Sequence, residues 1–422
     1  MTSKALAGIR VIDLAEVWAG PFGASLLGDM GADVIKVESF PRRSLTRPLL
    51  PDARVADGPG PVYERVDSQI QGNRNKRNIA IDFRSEGGAE TLRRLLISGD
   101  VLIEGFAAGT IDRAGFGWET VHSLNPRLTM ISMPAWGVIG PYNGYVALGS
   151  GIDASVGHIS VRGMPDKSVE DVAGGFHTDA TSPSEVVFAA LAALRRREIT
   201  HEGSFIDLSQ AEGFAWALAG PLGEWELTNR VPQPLGNRDP YIVPHGCYPT
   251  AVPGHWVTVA AETDTQWAAL ASVLAHPEWA EDSHPWASIT GRLAAREAID
   301  TEIATFVHSR DHVVAADELQ ASGVIAAPVA APSAMLASPQ LQTRDWFCPV
   351  DQPYLGTRLF PGFLWQMQPD APEYEHRSRL VGEDNTEVLT ELGYSAAEIS
   401  SLESAHAIGN HYDAETDALL SA

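Results

Sequence analysis

The chain has little cysteine and no long apolar run. Its 422 residues include two cysteines, Cys247 and Cys348, and neither belongs to a C-x-x-C pair. We therefore expect no disulfide framework and no thiolate metal site, and a reducing compartment fits this composition. No apolar run approaches the roughly 20 residues of a membrane span. The opening residues, MTSKALAGIRVIDLAE, lack the apolar core of a signal peptide. These absences predict a cytoplasmic protein that is not inserted in a membrane.

Basic residues are scarce relative to acidic ones. Lysine and arginine total 30, aspartate and glutamate total 54, and the formal net charge is −24. A general nucleic-acid binder needs a basic face, and anionic membranes attract basic segments. The composition thus predicts neither partner. An anionic ligand would have to be held by a local group of arginines against the overall field.

Three catalytic motifs are missing. H-E-x-x-H does not occur, and His276 and His284 each precede a proline, so we expect no metal site. Gly149-Ser150-Gly151 lacks the spacing of the G-x-S-x-G hydrolase elbow. The first predicted turn reads W-A-G-P, which is not the G-x-G-x-x-G dinucleotide fingerprint. No sequence pattern identifies His158, His177 or His245 as a catalytic base.

Short apolar runs alternate with helical patterns through the first half of the chain. This alternation predicts an α/β doubly wound domain with parallel strands. Strands are predicted at residues 8–15, 33–38, 78–83, 101–104, 128–133 and 205–208. Ligands of such sheets bind beyond the carboxyl ends of the strands, here residues 15–20, 82–84, 104–107 and 133–137. The length favours two domains, and the Pro-, Gly- and Asn-rich segment 232–253 marks a border before a smaller α+β unit.

The segment FHTDATSPSEVVFAALAALRRRE, residues 176–198, predicts a capped helix. Ser182 and Glu185 have the spacing of a capping box, and Pro183 would occupy the first helical position. Residues 186–194 are apolar on every side, so we expect them to be buried. Asp179 falls just upstream, in the predicted loop. It is either a solvated loop aspartate, a ligand for the helix amides, or a functional carboxylate.

Basic residues gather near the predicted strand ends. In so acidic a chain, the set as a whole suggests an anionic nucleotide ligand. Its members are Arg42, Arg43, Arg47, Arg74, Lys76, Arg77, Arg84 and Arg113.

The order of several motifs resembles the class III CoA-transferases, which include formyl-CoA and carnitine CoA-transferases. The matching stretches span nearly the whole chain: LAGIRVIDLAEVWAGPFGASLLGDMGADVIKVES, NRNKRNIAIDFRSEGG, DVLIEGFAAGTIDRAGFGWETVHSLNPRLTMISMPAWGVIGPY, LAALRRREITHEGSFIDLSQAEGF, LGNRDPYIVPHGCYPT and LVGEDNTEVLTELGYS. The resemblance implies a Rossmann-like large domain built from both chain ends plus a smaller α+β domain. The implied limits are 1–225 for the first part of the large domain, 226–330 for the small domain and 331–422 for the returning segment. It also implies an interlocked dimer, either a homodimer or a pair with a homologous subunit.

The resemblance also implies the chemistry. The family nucleophile is an aspartate before a helix ending in L-A-A-L, and Asp179 stands at the matching spacing from Leu194. The implied reaction moves CoA from an acyl-CoA donor to a small carboxylic acid through an aspartyl mixed anhydride and an aspartyl-CoA thioester. Amides near Gly236 and Asn237 would stabilise the oxyanions. Coenzyme A, present as the acyl-CoA substrate, would lie along Trp18, Ala19, Ile81, Phe83, Arg84, Gly105, Phe106, Ala107 and Arg113.

The chain departs from the family at two positions. Trp18 replaces the glutamine of formyl-CoA transferase, which predicts a reshaped acyl pocket and disfavours a very small acid. Pro183 replaces a usual glycine, which puts the nucleophile loop geometry in question. Two alternatives stay open: an α-methylacyl-CoA racemase and a non-catalytic CoA-binding subunit. The racemases carry a histidine in the segment that corresponds to residues 143–149, and this chain has none there.

Overall fold

The computed structural model describes residues 4–44, 46–48, 55–172 and 175–413. These residues form two compact units. The first contains the described residues of segments 1–156, 174–222 and 345–422, and the second those of segments 157–173 and 223–344. The limits 1–225, 226–330 and 331–422 stay a prediction about folding domains.

The first unit is built on a six-stranded sheet in which every strand pair is parallel. The strand order is β3-β2-β1-β4-β5-β6. Parallel strands need crossover connections, and helices between successive strands supply most of them. The strands are β1 (Arg10–Asp13), β2 (Asp33–Ser39), β3 (Lys76–Ile81), β4 (Val101–Glu104), β5 (Thr129–Ser132) and β6 (Phe205–Asp207). The predicted α/β fold with a parallel sheet is confirmed.

Apolar residues of the strands and helices make the core. Val11, Ile12, Ile35 and Leu102 have no solvent exposure, as expected of strands covered on both faces. The helices of the N-terminal half are α1 (Ala19–Asp29), α2 (Asp67–Gly72), α3 (Glu86–Ser98), α4 (Thr110–Arg113), α5 (Trp118–Leu124), α6 (Gly149–Ser155), α7 (His158–Val161), α8 (His177–Thr200), α9 (Gln210–Ala215) and α10 (Ala219–Thr228). The 3₁₀ turn Trp216–Leu218 separates α9 from α10.

The second unit combines a three-stranded antiparallel sheet with helices. Its strands are β7 (His245–Pro249), β8 (Trp256–Ala260) and β9 (Ile325–Pro328), in that order. Trp267, Leu270, Ile299 and Ile303 lie in its core. The helices are α11 (Asp264–Val273), α12 (Ile289–Ala294), α13 (Arg296–His308), α14 (His312–Ala321), α15 (Pro332–Leu336) and α16 (Pro339–Thr343).

The C-terminal segment contacts the first unit's sheet at β3. The backbone N–H groups of Asn78 and Ala80 donate to the side chains of Asp384 (2.7 Å) and Asn385 (3.0 Å). Ile81 forms a β-bridge with Ile408. Side-chain oxygens thus accept hydrogen bonds from backbone N–H groups along this edge of the sheet, where no neighbouring strand among the described residues pairs with β3. This segment contains β10 (Phe347–Gln352), β11 (Gly356–Pro361), α17 (Asn385–Glu391) and α18 (Ala396–Ser404).

Helix α8 differs from its prediction in two ways. It begins at His177, so the predicted cap at Ser182 does not form and Pro183 lies inside the helix. Residues 186–194 are also not buried on every side, since Phe188 is 76% exposed and Leu191 38% exposed. The capping-box pattern predicted the wrong helix start, because the backbone N–H groups of the actual first turn donate to a partner elsewhere in the chain.

Within the described part of the chain, no helix has both the length and the apolarity needed to span a bilayer.

Candidate active site

Asp179 occupies the first turn of α8 rather than a loop. A buried aspartate of α6 holds that turn in place. The backbone N–H groups of His177 and Thr178 each lie 3.3 Å from the carboxylate of Asp153, and Nδ1 of His177 lies 3.0 Å from the same group. Asp153 therefore satisfies amides that a helix start otherwise leaves without partners. This long-range cap explains why α8 begins five residues before the predicted cap.

The side chain of Asp179 is packed against the start of α6. A Cβ atom built at Gly149 would lie 1.8 Å from Oδ2 of Asp179. Only a residue without a side chain fits at that distance. The hydroxyl of Thr178 donates to the carbonyl of Gly149 (3.3 Å), which fixes the two helix starts relative to each other.

Pro183 also affects the backbone of Asp179. A proline has no N–H, so it cannot donate the helical hydrogen bond to the carbonyl four residues earlier. In α8 that carbonyl belongs to Asp179. The first turn therefore lacks one hydrogen bond of a regular helix, and the contacts with α6 help to hold it.

The environment of Asp179 disfavours its charged form. Burial, followed by repulsion from the Asp153 carboxylate, raises the pKa of Asp179 from 3.8 to about 6. Burial acts to raise the pKa of Asp153 too, but hydrogen bonds from the His177 side chain and from the amides of His177 and Thr178 lower it overall. Asp153 thus keeps its charge while Asp179 becomes a partly desolvated carboxylate that is ionised at neutral pH. Such a group can act as a nucleophile.

Three predicted strand ends converge beside Asp179. They line what we call the first cavity, of about 190 Å³, together with the loop that precedes α6. Trp18, Ala19, Gly105, Phe106 and Ala107 all lie here, as does Asp179. The ring of Trp18 meets that of Phe176 edge to face, with centroids 6.5 Å apart.

A second cavity, of about 340 Å³, shares Phe106 with the first. It contains the other residues expected along the CoA path: Ile81, Phe83, Arg84 and Arg113. The rings of Phe83 and Phe106 are 6.3 Å apart. Phe106 is positioned by Glu104, whose carboxylate accepts from the Phe106 amide at 2.8 Å and whose pKa is raised by burial.

The predicted cluster of basic residues only partly forms. Arg42, Arg84 and Arg113 line the second cavity, whereas Arg43 lines neither cavity. Four others are used in internal ion pairs: Arg47 with Glu38 and Glu64, Arg74 with Asp29, Lys76 with Asp13, and Arg77 with Asp33. Their partners lie between 9 and 63 residues away in sequence, beyond a single helical turn, so local spacing could not show that these charges are neutralised.

Gly236 and Asn237 belong to the second unit. Gly236 has a φ of +63°, and its N–H donates to the carbonyl of Gly163 at 2.9 Å. The carbonyl of Asn237 accepts from Nδ1 of His245 at 2.8 Å. The amide of Gly236 is therefore already used within its own unit.

One group in the second unit could hold a metal ion. His255, Asp311 and His312 bring one ligand-type atom each within 4.8 Å of one another. Asp311 also caps α14 through the amides of Val313 and Val314. The expectation that the protein uses no metal stays a prediction.

Sequence reasoning missed Gly149, Asp153 and the pairing of His177. A glycine at residue 149 was visible, but only as part of a failed hydrolase motif. Asp153 gave no local signal, because its importance comes from burial and from partners 24 and 25 residues later.

Comparisons with known proteins find one matching family, related CoA-transferases and a similar solved structure. The family "CoA-transferase family III" matches residues 6–385. The succinate–glutarate CoA-transferase of Agrobacterium fabrum is 31% identical over 406 residues, covering 92% of this chain and 95% of that protein. The succinyl-CoA–L-malate CoA-transferase beta subunit of Chloroflexus aurantiacus is 28% identical over 410 residues, covering 96% and 99%. The crystal structure of a CAIB/BAIF family protein from Brucella suis superposes with a TM-score of 0.82 at 28% identity, covering 93% of this chain and 100% of that one.

Proposed function

Because this chain belongs to CoA-transferase family III and is a CoA-transferase enzyme, we propose that it uses Asp179 as the nucleophile that carries CoA between two carboxylic acids. The observation that supports this most is the position of Asp179. It lies in the cavity formed by the strand ends, and its pKa of about 6 leaves it ionised at neutral pH. The donor is an acyl-CoA and the acceptor a carboxylic acid, as in the relatives named for succinate and glutarate or for malate.

Asp179 begins the cycle by attacking the thioester carbonyl of the donor, which expels CoA thiolate and forms a mixed anhydride. The thiolate attacks the aspartyl carbonyl, releases the donor acid as a carboxylate and leaves an aspartyl-CoA thioester. The acceptor carboxylate attacks this thioester and again expels CoA thiolate. The thiolate then attacks the acceptor carbonyl, which frees Asp179. Each step exchanges acyl derivatives of similar energy, so ATP is not required.

The second cavity suits the nucleotide end of CoA. Arg42, Arg84 and Arg113 supply guanidinium groups for phosphates, and Phe83 and Phe106 supply apolar surface. Phe106 lines both cavities, so the pantetheine arm could pass along it from the phosphates toward Asp179. Trp18 and Ala19, with Gly105 and Ala107, would border the thioester end.

The remaining features that the resemblance to the family implies are part of the same proposal. Of the two residues expected near the oxyanions, Asn237 would contribute its amide in the assembled enzyme, whereas the amide of Gly236 already donates to the carbonyl of Gly163. Assembly would be an interlocked dimer with a large domain formed by both chain ends, either a homodimer or a pair with a homologous subunit. The exposed apolar face of α8, with Phe188 76% exposed, supports burial against a second chain.

Racemisation is the less favoured activity. It needs a base on each face of an α-carbon. Residues 143–149 contain no histidine, and His177 is not among the residues that line the first cavity.

The test compares two site variants. Asp179→Asn should lower kcat for CoA transfer by at least about 10³-fold while CoA affinity changes little, because the nucleophile is lost and the second cavity is intact. Arg113→Ala should instead weaken CoA binding by about 1–3 kcal/mol, as expected for a lost charged contact. Asp317→Asn, an exposed aspartate of α14, is the matched control. Near-normal transfer by folded Asp179→Asn protein would remove Asp179 from the mechanism.

A further inference from the structure

The first cavity has an unusual charge balance for a site that receives acids. Among its lining residues, all of which lie in the described part of the chain, the charged side chains are Glu16 and Asp179. Both are acidic, and no lysine, arginine or histidine lines this cavity. The arginines near the site line the second cavity, where CoA phosphates would use them.

This balance bears on the number of carboxylates that the acyl group can carry. The reacting carboxylate is consumed by bond formation with Asp179. A second carboxylate would stay charged, partly desolvated and close to Glu16 without a cationic partner. Burying an unpaired charge is costly, and a neighbouring like charge adds to that cost.

Apart from Glu16, Asp179, Asn143 and Gln210, the residues that line the cavity are apolar or aromatic. Trp18 stands beside Asp179, and Tyr145 packs against Tyr142 with ring centroids 4.9 Å apart. Val146 and Leu148 line the same space, although they are 87% and 58% exposed. Exposed apolar side chains at a cavity mouth gain most from an apolar ligand that covers them.

The volume sets the size of that ligand. An apolar cavity of about 150 Å³ is large enough to hold benzene. The first cavity measures about 190 Å³, so it has room for a ring-sized or branched group.

We propose that the enzyme transfers CoA between monocarboxylic acids with an apolar body, branched or aromatic and about as large as a six-membered ring. This inference rests on the proposed function, because it takes Asp179 as the point at which the acyl group is held. Donor and acceptor react at the same carboxylate in turn, so both acyl groups occupy the same cavity. Acyl-CoAs with a free second carboxylate should therefore be poor donors as well as poor products.

The experiment measures kcat/KM for matched acids with the full-length protein. Isovalerate, phenylacetate and 3-phenylpropionate are compared with succinate, glutarate and itaconate as acceptors, and the corresponding acyl-CoAs are compared as donors. We expect the monocarboxylates to exceed the dicarboxylates by at least about tenfold. Equal or better use of the dicarboxylates would overturn the inference while leaving the transferase mechanism in place.

Failure of the mechanism would give a different result. In that case no acyl-CoA of either class would form a hydroxylamine-sensitive adduct on the peptide that contains Asp179, whatever the order of preference among the acids.

A charge substitution tests where the acyl group lies. Leu148→Arg places a cation at the cavity and should raise the ratio of dicarboxylate to monocarboxylate kcat/KM by about tenfold or more. Ile97→Arg, at an exposed residue of α3 that does not line this cavity, should leave the ratio unchanged. Thermal unfolding and CoA titration show whether both variants are folded. An unchanged ratio in folded, CoA-binding Leu148→Arg protein would contradict the placement of the acyl group in the first cavity.

Discussion

Asp179 is the residue that we propose as the nucleophile, and its properties come from its surroundings. Gly149 leaves the space that its carboxylate fills, and Asp153 repels its charge. The spacing from the L-A-A-L segment indicated Asp179 by resemblance, and its role as the nucleophile stays a prediction. The tight approach of Gly149 could not be found in the same way, because nothing in the local sequence shows which atoms face that glycine.

The pKa of Asp179 predicts a pH dependence. The nucleophile must be ionised, so kcat/KM should fall as the pH drops through about 6. The contribution of Asp179 to the free energy of unfolding should change in the opposite direction. Its pKa in the folded state lies above the unfolded value near 3.8, so the folded state binds the proton more tightly. The fold should therefore become more stable as the pH falls from 6 toward 4, because the buried charge is neutralised. Rate profiles between pH 5 and 8 check the first expectation. A rate that stays flat to pH 5 would contradict it.

Among the secondary-structure elements, strands were easier to predict than the start of α8. The six predicted strands all occur in the sheet, with ends that differ by no more than two residues. Continuous apolar runs identify buried strands directly. The start of α8 depends on Asp153, whose hydrogen bonds cross more than twenty residues, whereas the local S-P-S-E pattern pointed to the wrong residue. Apolar composition also predicted burial for Phe188, because the sequence cannot distinguish an apolar residue of the core from an exposed one.

Asp153 binds the first turn of α8, so we expect it to position the proposed nucleophile, Asp179. Asp153→Ala removes the acceptor for two amides and should destabilise the protein by about 1–3 kcal/mol. It also removes the charge that raises the pKa of Asp179, so the acid limb of the kcat/KM profile should move to lower pH. Asp153→Asn keeps one acceptor oxygen and loses the charge. We expect it to be the more stable variant with the same displacement of the pH profile.

Calorimetry and rate profiles of the two Asp153 variants separate a structural role from an electrostatic one. Unchanged unfolding temperatures together with an unchanged acid limb would show that Asp153 does neither.

In the whole molecule, an acidic surface coexists with exposed apolar side chains. The net charge of −24 opposes non-specific association. Even so, α8 presents Phe188, Leu191 and Ile199 to solvent at 76%, 38% and 67% exposure. Exposed apolar residues on one helix are typical of an interface. Length and composition favour two domains, and the structure has two compact units, whereas no local pattern shows that these three side chains of α8 are exposed.

The assembly prediction follows from that face. The wild-type protein should be a dimer at micromolar concentration, and Phe188→Glu should weaken it at least about tenfold, because a charge would be buried without a partner. Ile97→Glu, on α3, offers a control at another exposed apolar position. Sedimentation velocity measures both. A wild-type monomer, or equal dimer strength in all three proteins, would contradict the assignment of this face.

The most direct test of the central claim is mass spectrometry of the intact protein and its peptides after incubation with a panel of acyl-CoAs. We predict a CoA-sized, hydroxylamine-sensitive adduct on the peptide that contains Asp179, absent from the Asp179→Asn variant. Active transfer without any such adduct on that peptide, or with the adduct on another residue, would contradict the account.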